Sequence, residues 1–429
     1  MSPYFTCTPA NARAARMVEK AVADAGFLPP LSFGVPPIGI GTYELRGAAC
    51  VNAVRSALQM GYRLVDTAAV YRNEELVGEG IATSGVPRAD LFIVVKIAMK
   101  SMGSDAAVRQ GILDSLRKLR IDYADCVLMH WPGCGGLKPQ DAAAHRAARA
   151  RCWQVMHELQ AHGKVRYCGV SNFLPRHFKD LNCFNGDDSE DAQDTALVAG
   201  AAPHASIRRE RKEERMLHGQ TSSSSSAPSD TSAPPQPAAS SEPYLPPILN
   251  QIELHPLCVQ RDVDAYCRGC HGMILQQYSP LGKGDARLLQ HRRLLEVHAQ
   301  FFTNQSDGNH SSTSAPKALP ESARLYSVVD LILMWGLAQG YCTLVRSHRV
   351  DHLRANLDAS RDYFASVRAL AKGAGGRDDA GADESRVSGG MSRALLTAEQ
   401  LEVIQHLRAH MDVEGEPDTH LCWYSSEVA

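Results

Sequence analysis

Eight short apolar runs, each carrying a polar residue at its C-terminal end, constrain the fold of this chain more than any other feature. They are Ile38 to Tyr43, Leu64 to Asp66, Leu91 to Lys96, Cys126 to His130, Tyr167 to Ser171, Ile248 to Ile252, Met273 to Tyr278 and Thr343 to Arg346. Helical patterns lie between them at Val51 to Met60, Ala106 to Leu119, Arg151 to His162 and Ser327 to Gln339. Gly61, Gly163 and Gly340 follow three of these, where a left-handed residue ends a helix. Apolar strands alternating with helices predict a parallel sheet covered on both faces. Most gaps between the polar ends are about 25 to 40 residues, one βα unit each.

An open dinucleotide-binding sheet and a closed barrel both satisfy that alternation. The glycine fingerprint of the open sheet is missing: Gly39-Ile40-Gly41 is followed by Glu44, and Gly78-Glu79-Gly80 by Thr83, where a third glycine belongs. Eight strands is a barrel count, so the expected fold class is α/β, a (β/α)8 TIM barrel. The first strand is the weakest of the set, because two glycines dilute it.

The chain has 429 residues, 44% of them hydrophobic, enough for a large core. Its 45 Lys and Arg against 47 Asp and Glu leave a net charge of -2, which gives no long-range pull toward nucleic acid or an anionic membrane. No run approaches the roughly 18 apolar residues of a membrane span. Arg13, Arg16, Glu19 and Lys20 break any secretory apolar core near the N-terminus. The 12 cysteines form no framework, so a reducing, cytoplasmic location is expected. Residues 219 to 247 are dominated by Ser, Pro and Ala and cannot bury enough apolar area to offset their ordering entropy.

The expected organisation is therefore an N-terminal extension over 1–26 and a first half-barrel over 27–184. A disordered low-complexity insertion follows over 185–246, between the fifth and sixth strands. The second half-barrel, with a C-terminal helix and tail, spans 247–429. Smaller polar insertions are expected near 303–322 and 372–390. Thr397-Ala398-Glu399-Gln400 is a capping box that opens the C-terminal helix. Cys267-Arg268-Gly269-Cys270-His271 spells a haem-attachment pattern, but it sits between a helix and the seventh strand, where a covalent haem would clash with packing. No metal is expected.

In a barrel the C-terminal strand ends surround one mouth. Asp66, Lys96 and His130 would meet there, with Tyr71 on the loop five residues beyond Asp66. A phenol has a pKa near 10 and is a poor acid at neutral pH. An ammonium roughly 4 Å away would stabilise the phenolate by about 4 kcal/mol at an effective dielectric of 20, some three pKa units before burial opposes it. Asp66 would keep Lys96 charged and aimed, and His130 would hold a substrate oxygen. Such a set can protonate an oxygen that gains negative charge, as a carbonyl oxygen does when hydride reaches its carbon.

Seven motifs in order carry a resemblance to a known family. They are Gly39-Ile40-Gly41-Thr42-Tyr43, Gly61-Tyr62-Arg63-Leu64-Val65-Asp66-Thr67-Ala68, Tyr71-Arg72-Asn73-Glu74, His130-Trp131-Pro132, Gly169-Val170-Ser171-Asn172-Phe173, Asn250-Gln251-Ile252-Glu253-Leu254-His255-Pro256 and Tyr278-Ser279-Pro280-Leu281-Gly282. From about Ser32 to Asn356, insertions aside, the chain resembles the aldo-keto reductase family. The resemblance implies reduction of an aldehyde or ketone with NADPH, NADH being a possible substitute. Tyr71 would be the general acid, tuned by Asp66 and Lys96, with His130 orienting the carbonyl. Gly41 and Thr42 would belong to the cofactor site. Ser171, Asn172 and Gln251 would bind the carboxamide, and Tyr278 would stack on the nicotinamide. Ser279 and Leu281 would run under the pyrophosphate, and Arg346, Ser347 and Asn356 would grip the adenosine 2′-phosphate and adenine. Tyr43, Trp131 and Trp423 would wall the substrate pocket.

Two departures accompany it. The family's Lys before Ser347 is Arg346 here, its Arg six positions on is His352, and its Glu before Asn356 is Ala355. Arg349 and Arg354 would compensate from one short helix, leaving a narrowed preference for NADPH. The long insertion is the second departure. The expected partner is a small carbonyl compound, with no nucleic acid, no membrane and a monomeric chain. A nucleotide-sensing regulatory subunit with slow or no turnover is the alternative, though the complete tetrad argues against it.

Overall fold

Eight parallel strands close into a barrel in sequence order, as the polar-ended runs require. In the computed structural model, residues 28–183, 244–303, 326–373 and 395–422 are described. The strands are β1 (Ile38–Gly41), β2 (Leu64–Asp66), β3 (Phe92–Ile97), β4 (Ala124–Met129), β5 (Val165–Ser171), β6 (Leu249–Glu253), β7 (Ile274–Tyr278) and β8 (Cys342–Val345). The longer helices are α1 (Gly47–Met60), α2 (Glu74–Ala82), α3 (Asp105–Leu119), α4 (Ala142–Ala161), α5 (Arg292–Phe301), α6 (Val328–Ala338), α7 (Val350–Gly373) and α8 (Ala398–Gln405). The barrel is the expected (β/α)8 architecture.

Local differences have local causes. Helix α4 starts nine residues before the expected position, because its first turns (Ala-Ala-Ala-His-Arg-Ala-Ala-Arg-Ala) hold strong helix formers without an apolar period. Strand β1 stops at Gly41, and the chain then turns: Leu45 N donates to Thr42 O at 3.1 Å. Its glycines serve packing. A Cβ on Gly39 would fall 2.2 Å from Leu64 Cδ2 on the neighbouring strand. Where a short helix was expected to carry Arg349 and Arg354, α7 runs for 24 residues and begins just after Arg349.

The core beneath the mouth includes Val35, Leu64, Phe92, Val94, Cys126, Leu128, Leu249 and Leu344, with Leu31 packed against it. The capping box at Thr397 forms as expected, the hydroxyl accepting from Gln400 N at 3.1 Å. Cys267 and Cys270 fall on one helical turn ahead of β7, Cys267 buried and Cys270 exposed.

The extension at 1–26, the tracts at 304–322 and 374–390, and 185–243 of the insertion lie outside the described residues. The described structure resumes at Tyr244. Tyr244 N donates to Asn182 O at 3.0 Å, and the Tyr244 ring stacks on His157 at 5.0 Å between centroids. The two ends of the insertion therefore meet, and loop entropy grows only slowly with what lies between.

One buried carboxylate sets three strands in register. Asp125, wholly buried near the start of β4, accepts from Ile93 N on β3 at 3.0 Å and from Arg166 on β5, and pairs with Arg88 at 2.7 Å. These strands carry Lys96, His130 (just past β4) and Ser171 to the mouth. Asp125→Ala would leave the Ile93 amide without its acceptor and remove the carboxylate from Arg166 and Arg88, and is expected to cost about 3 kcal/mol. Urea denaturation checks this; a midpoint unchanged from the parent would contradict it.

Candidate active site

The mouth is built from strand ends at matching levels. Gly41 pairs with Asp66, Ser171 with Gln251, and Glu253 with Tyr278. Parallel pairing puts their side chains around one opening. Lys96, wholly buried, reaches from β3 to the Asp66 carboxylate, its shortest contact. The same Nζ lies 3.2 Å from the Tyr71 hydroxyl and 5.0 Å from the centre of its ring. His130 stands edge-on to Tyr71 at 5.8 Å between centroids, and Tyr43 at 5.1 Å. The four residues predicted to carry the chemistry therefore converge.

Electrostatics correct one sequence expectation. Lys96 was expected to lower the Tyr71 pKa, but the phenol is held well above its usual value. Burial is the main cause, followed by the Asp66 carboxylate and the Tyr278 and Tyr43 phenols. The ammonium's influence is spent on Asp66, and burial itself lowers Lys96 while Asp66 opposes that shift. Tyr71 thus keeps its proton at neutral pH. His130 is pushed down to about 3 by burial and then by the Lys96 charge, so it is a neutral imidazole.

A cleft of about 440 Å³ opens over these groups. Asp66, Tyr71 and His130 line it, as do the predicted Gly41, Ser171, Asn172, Gln251, Tyr278, Ser279, Leu281, Arg346 and Asn356, and the predicted walls Tyr43 and Trp131. Thr42 and Ser347 lie outside the lining. Thr42 is buried and donates to Asp66 O at 2.9 Å, so it holds the β2 end in place. The Ser347 hydroxyl accepts from Arg349 N at 3.0 Å, and Arg349 pairs with Asp351. Arg349, His352 and Arg354 also lie outside the lining. Trp423 is outside the described residues.

The carboxamide-binding candidates are already linked. Ser171 Oγ donates to Gln251 O at 2.8 Å, Asn172 Nδ2 donates to His130 O at 3.0 Å, and Tyr278 OH donates to Asn172 Oδ1 at 2.9 Å. Gln251 Nε2 donates to Asp66 Oδ2 at 2.8 Å, tying cofactor side to acid side. Asn172 and Ser279 both adopt left-handed backbone, φ 62 and 51, at the ends of β5 and β7. Asn visits that region readily, whereas Ser279 is held there by its surroundings.

Sequence reasoning missed several residues. Lys283 lines the cleft, with Nζ 5.6 Å from the Tyr43 ring centre. Asn73 Nδ2 donates to Thr42 O at 2.7 Å and Leu45 O at 3.0 Å, bracing the loop that carries Tyr43. Glu253, 1% exposed, accepts from Leu421 N at 2.7 Å and Cys422 N at 2.9 Å, and so docks the C-terminal tail. Leu421 fills the space beside Gly282, whose φ is +55; a Cβ there would meet Leu421 Cδ1 at 2.5 Å. The Asn73 and Glu253 motifs were visible in the sequence; their partners, far along the chain, were not.

Residues 30–218 match the model of the Aldo/keto reductase family. Among curated relatives, the chain is 27% identical over 358 residues to glycerol 2-dehydrogenase (NADP(+)) of Saccharomyces cerevisiae, covering 79% of this chain and 88% of the yeast protein. It is 28% identical over 324 residues to methylglyoxal reductase DkgB of Salmonella typhi, covering 75% and 86%. A crystal structure of an aldo/keto reductase from Brucella melitensis superposes with a TM-score of 0.50 at 25% identity, covering 77% of this chain and 91% of that one. Over residues 30–218, just under half of its length, this chain is similar to the aldo/keto reductase family, and relatives of that kind align over most of it. It is accordingly an oxidoreductase. Among the described residues, no helix is long and apolar enough to cross a membrane, and no three His, Cys, Asp or Glu residues group to hold a metal.

The lowered His130 pKa yields a direct prediction. The folded form binds the neutral imidazole, so His130 stabilises the protein above its unfolded pKa near 6.5, and that contribution is lost as pH falls from 6.5 toward 3. Nitrogen-15 NMR of labelled protein at pH 5 should show His130 still neutral. A protonated His130 resonance at that pH would contradict the burial argument.

Proposed function

We propose that this chain is an aldo/keto reductase that reduces a small aldehyde or ketone to an alcohol with NADPH, Tyr71 being the general acid. The observation that carries the reading is the Tyr71 hydroxyl, proton-retaining and 3.2 Å from a buried ammonium, on the lining of an aromatic-walled cleft.

The residues present fit a phosphate-bearing dinucleotide. The aromatic Tyr278 and the amides of Asn172 and Gln251 lie near the acid, suited to a flat carboxamide-bearing ring. The cations Lys283 and Arg346 also line the cleft, suited to phosphate. When bound, the nicotinamide supplies hydride to the carbonyl carbon. The chain's own residues do the remainder. His130, as a neutral imidazole, can donate one hydrogen bond to the carbonyl oxygen and align it. Tyr71 delivers its proton to that oxygen as negative charge develops there. The phenolate left behind is stabilised by Lys96, whose own charge is secured by Asp66. The high resting pKa of Tyr71 and its stabilisation after transfer are compatible: burial holds the proton until the substrate oxygen becomes basic enough to take it.

Tyr43, Val70, Trp131 and Leu289 give the cleft apolar walls with few polar anchors. This suits a compact carbonyl compound, as do the names of the glycerol and methylglyoxal relatives. Preference for NADPH over NADH is expected to be narrow. Arg346 lines the cleft, while His352 and Ala355 replace family residues and Arg349 is engaged with Asp351.

The test uses the full chain, following NADPH oxidation with a nitrobenzaldehyde. Tyr71→Phe should lose about 10²- to 10⁴-fold in turnover. Its cofactor Kd should stay within about twofold, because the phenol acts on substrate and not on cofactor. A variant with the parental rate would overturn the acid assignment. Tight cofactor binding with negligible turnover across many carbonyls would favour the regulatory reading.

A further inference from the structure

The turn after β1 carries Tyr43, which lines the cleft, and Glu44, which pairs with a cation that lines it. Asn73 Nδ2 clamps it from both sides, at Thr42 O and Leu45 O. Tyr43 lies against Tyr71 on the chemical side. Glu44, next in the chain, adopts φ 62, left-handed backbone that is uncommon for a residue bearing a side chain. Its carboxylate reaches Arg346, just past β8, with Oε2 3.2 Å from Nη1. Both side chains are partly exposed, 50% for Glu44 and 39% for Arg346.

Arg346 is the guanidinium best placed to bind a cofactor phosphate, since it lines the cleft and Arg349 does not. In the free protein that guanidinium is held by Glu44. A phosphate arriving at Arg346 must displace the carboxylate or share the cation with it. We propose that Glu44 is a specificity-determining residue that competes with the phosphate of NADPH for Arg346 and so narrows the preference over NADH. The proposal rests on the cofactor reading given above. NADH lacks the 2′-phosphate, makes no demand on the pair, and is indifferent to it.

The chemistry sets the size of the effect. Exposed ion pairs are worth at most about 1 kcal/mol and are screened by salt, so removing the carboxylate should tighten NADPH by up to about fivefold at low salt. The experiment measures Kd for NADPH and for NADH by calorimetry, on the parent, Glu44→Gln, Arg346→Met and the double variant. Glu44→Gln keeps the side-chain shape and sits on the surface, so folding is not at issue. The expected result is tighter NADPH binding by about threefold to fivefold, NADH changed by less than about twofold, and a gain that shrinks at high salt. In the Arg346→Met background Glu44→Gln should change neither Kd. Equal tightening of both dinucleotides would overturn the proposal, because Glu44 would then act on a group the two share. Unchanged binding of both, or a gain that persists without Arg346, would also overturn it. If the parent binds neither dinucleotide, the cofactor reading fails first, and this proposal with it.

Discussion

A buried ammonium, wholly enclosed by the barrel and held by a single carboxylate, is the interaction around which this structure is arranged. Burying either Lys96 or Asp66 alone would be very costly, so each exists in the core because the other is there. The pair needs a scaffold that brings adjacent strands to one depth. The β2–β3 register does this, with Asp66 opposite Val94 and Lys96 two residues on. Gln251 then ties the second carboxylate oxygen to the far side of the barrel. Tyr71 sits where the remaining reach of the ammonium ends. Its proton is held by burial and by the neighbouring carboxylate, and the lysine makes its departure tolerable.

Around that centre, long-range ties set the mouth's shape. Asn73 braces the turn that presents Tyr43. Glu253 receives two backbone amides of the tail, which places Leu421 against Gly282 in the loop beyond β7. Each tie uses a buried polar side chain to satisfy backbone groups of a loop. That is how loops acquire defined positions where they lack a hydrogen-bonding ladder. The loop beyond β7 and the turn beyond β1 are thereby fixed relative to the acid.

The barrel was legible because parallel strands buried on both faces read as apolar runs, and because their polar ends repeat at the length of one βα unit. The tetrad was legible because three members are those polar ends and the fourth follows Asp66 closely. The motif run made most of the cleft lining readable as well, from Gly41 to Asn356. What could not be read was partnership. Nothing local to Glu253 indicates Leu421, and nothing near Glu44 indicates Arg346. The direction of the Tyr71 shift was misjudged for the same reason. A pairwise estimate of lysine and phenol names burial as an opposing effect but cannot weigh its depth, and it leaves out the carboxylate that takes the lysine's charge. Helix α4 began early because its alanines favour helix without an apolar stripe, which a search for periodicity passes over.

Tyr71 holds its proton until substrate draws it off. Carbon-13 NMR of tyrosine-labelled protein, titrated from pH 6 to 11 with Tyr71→Phe assigning the resonance, measures this directly. The Tyr71 phenol should stay protonated past the ordinary tyrosine range, in keeping with its burial beside Asp66. A phenolate forming near neutral pH would show that Lys96 outweighs burial, and would contradict the account.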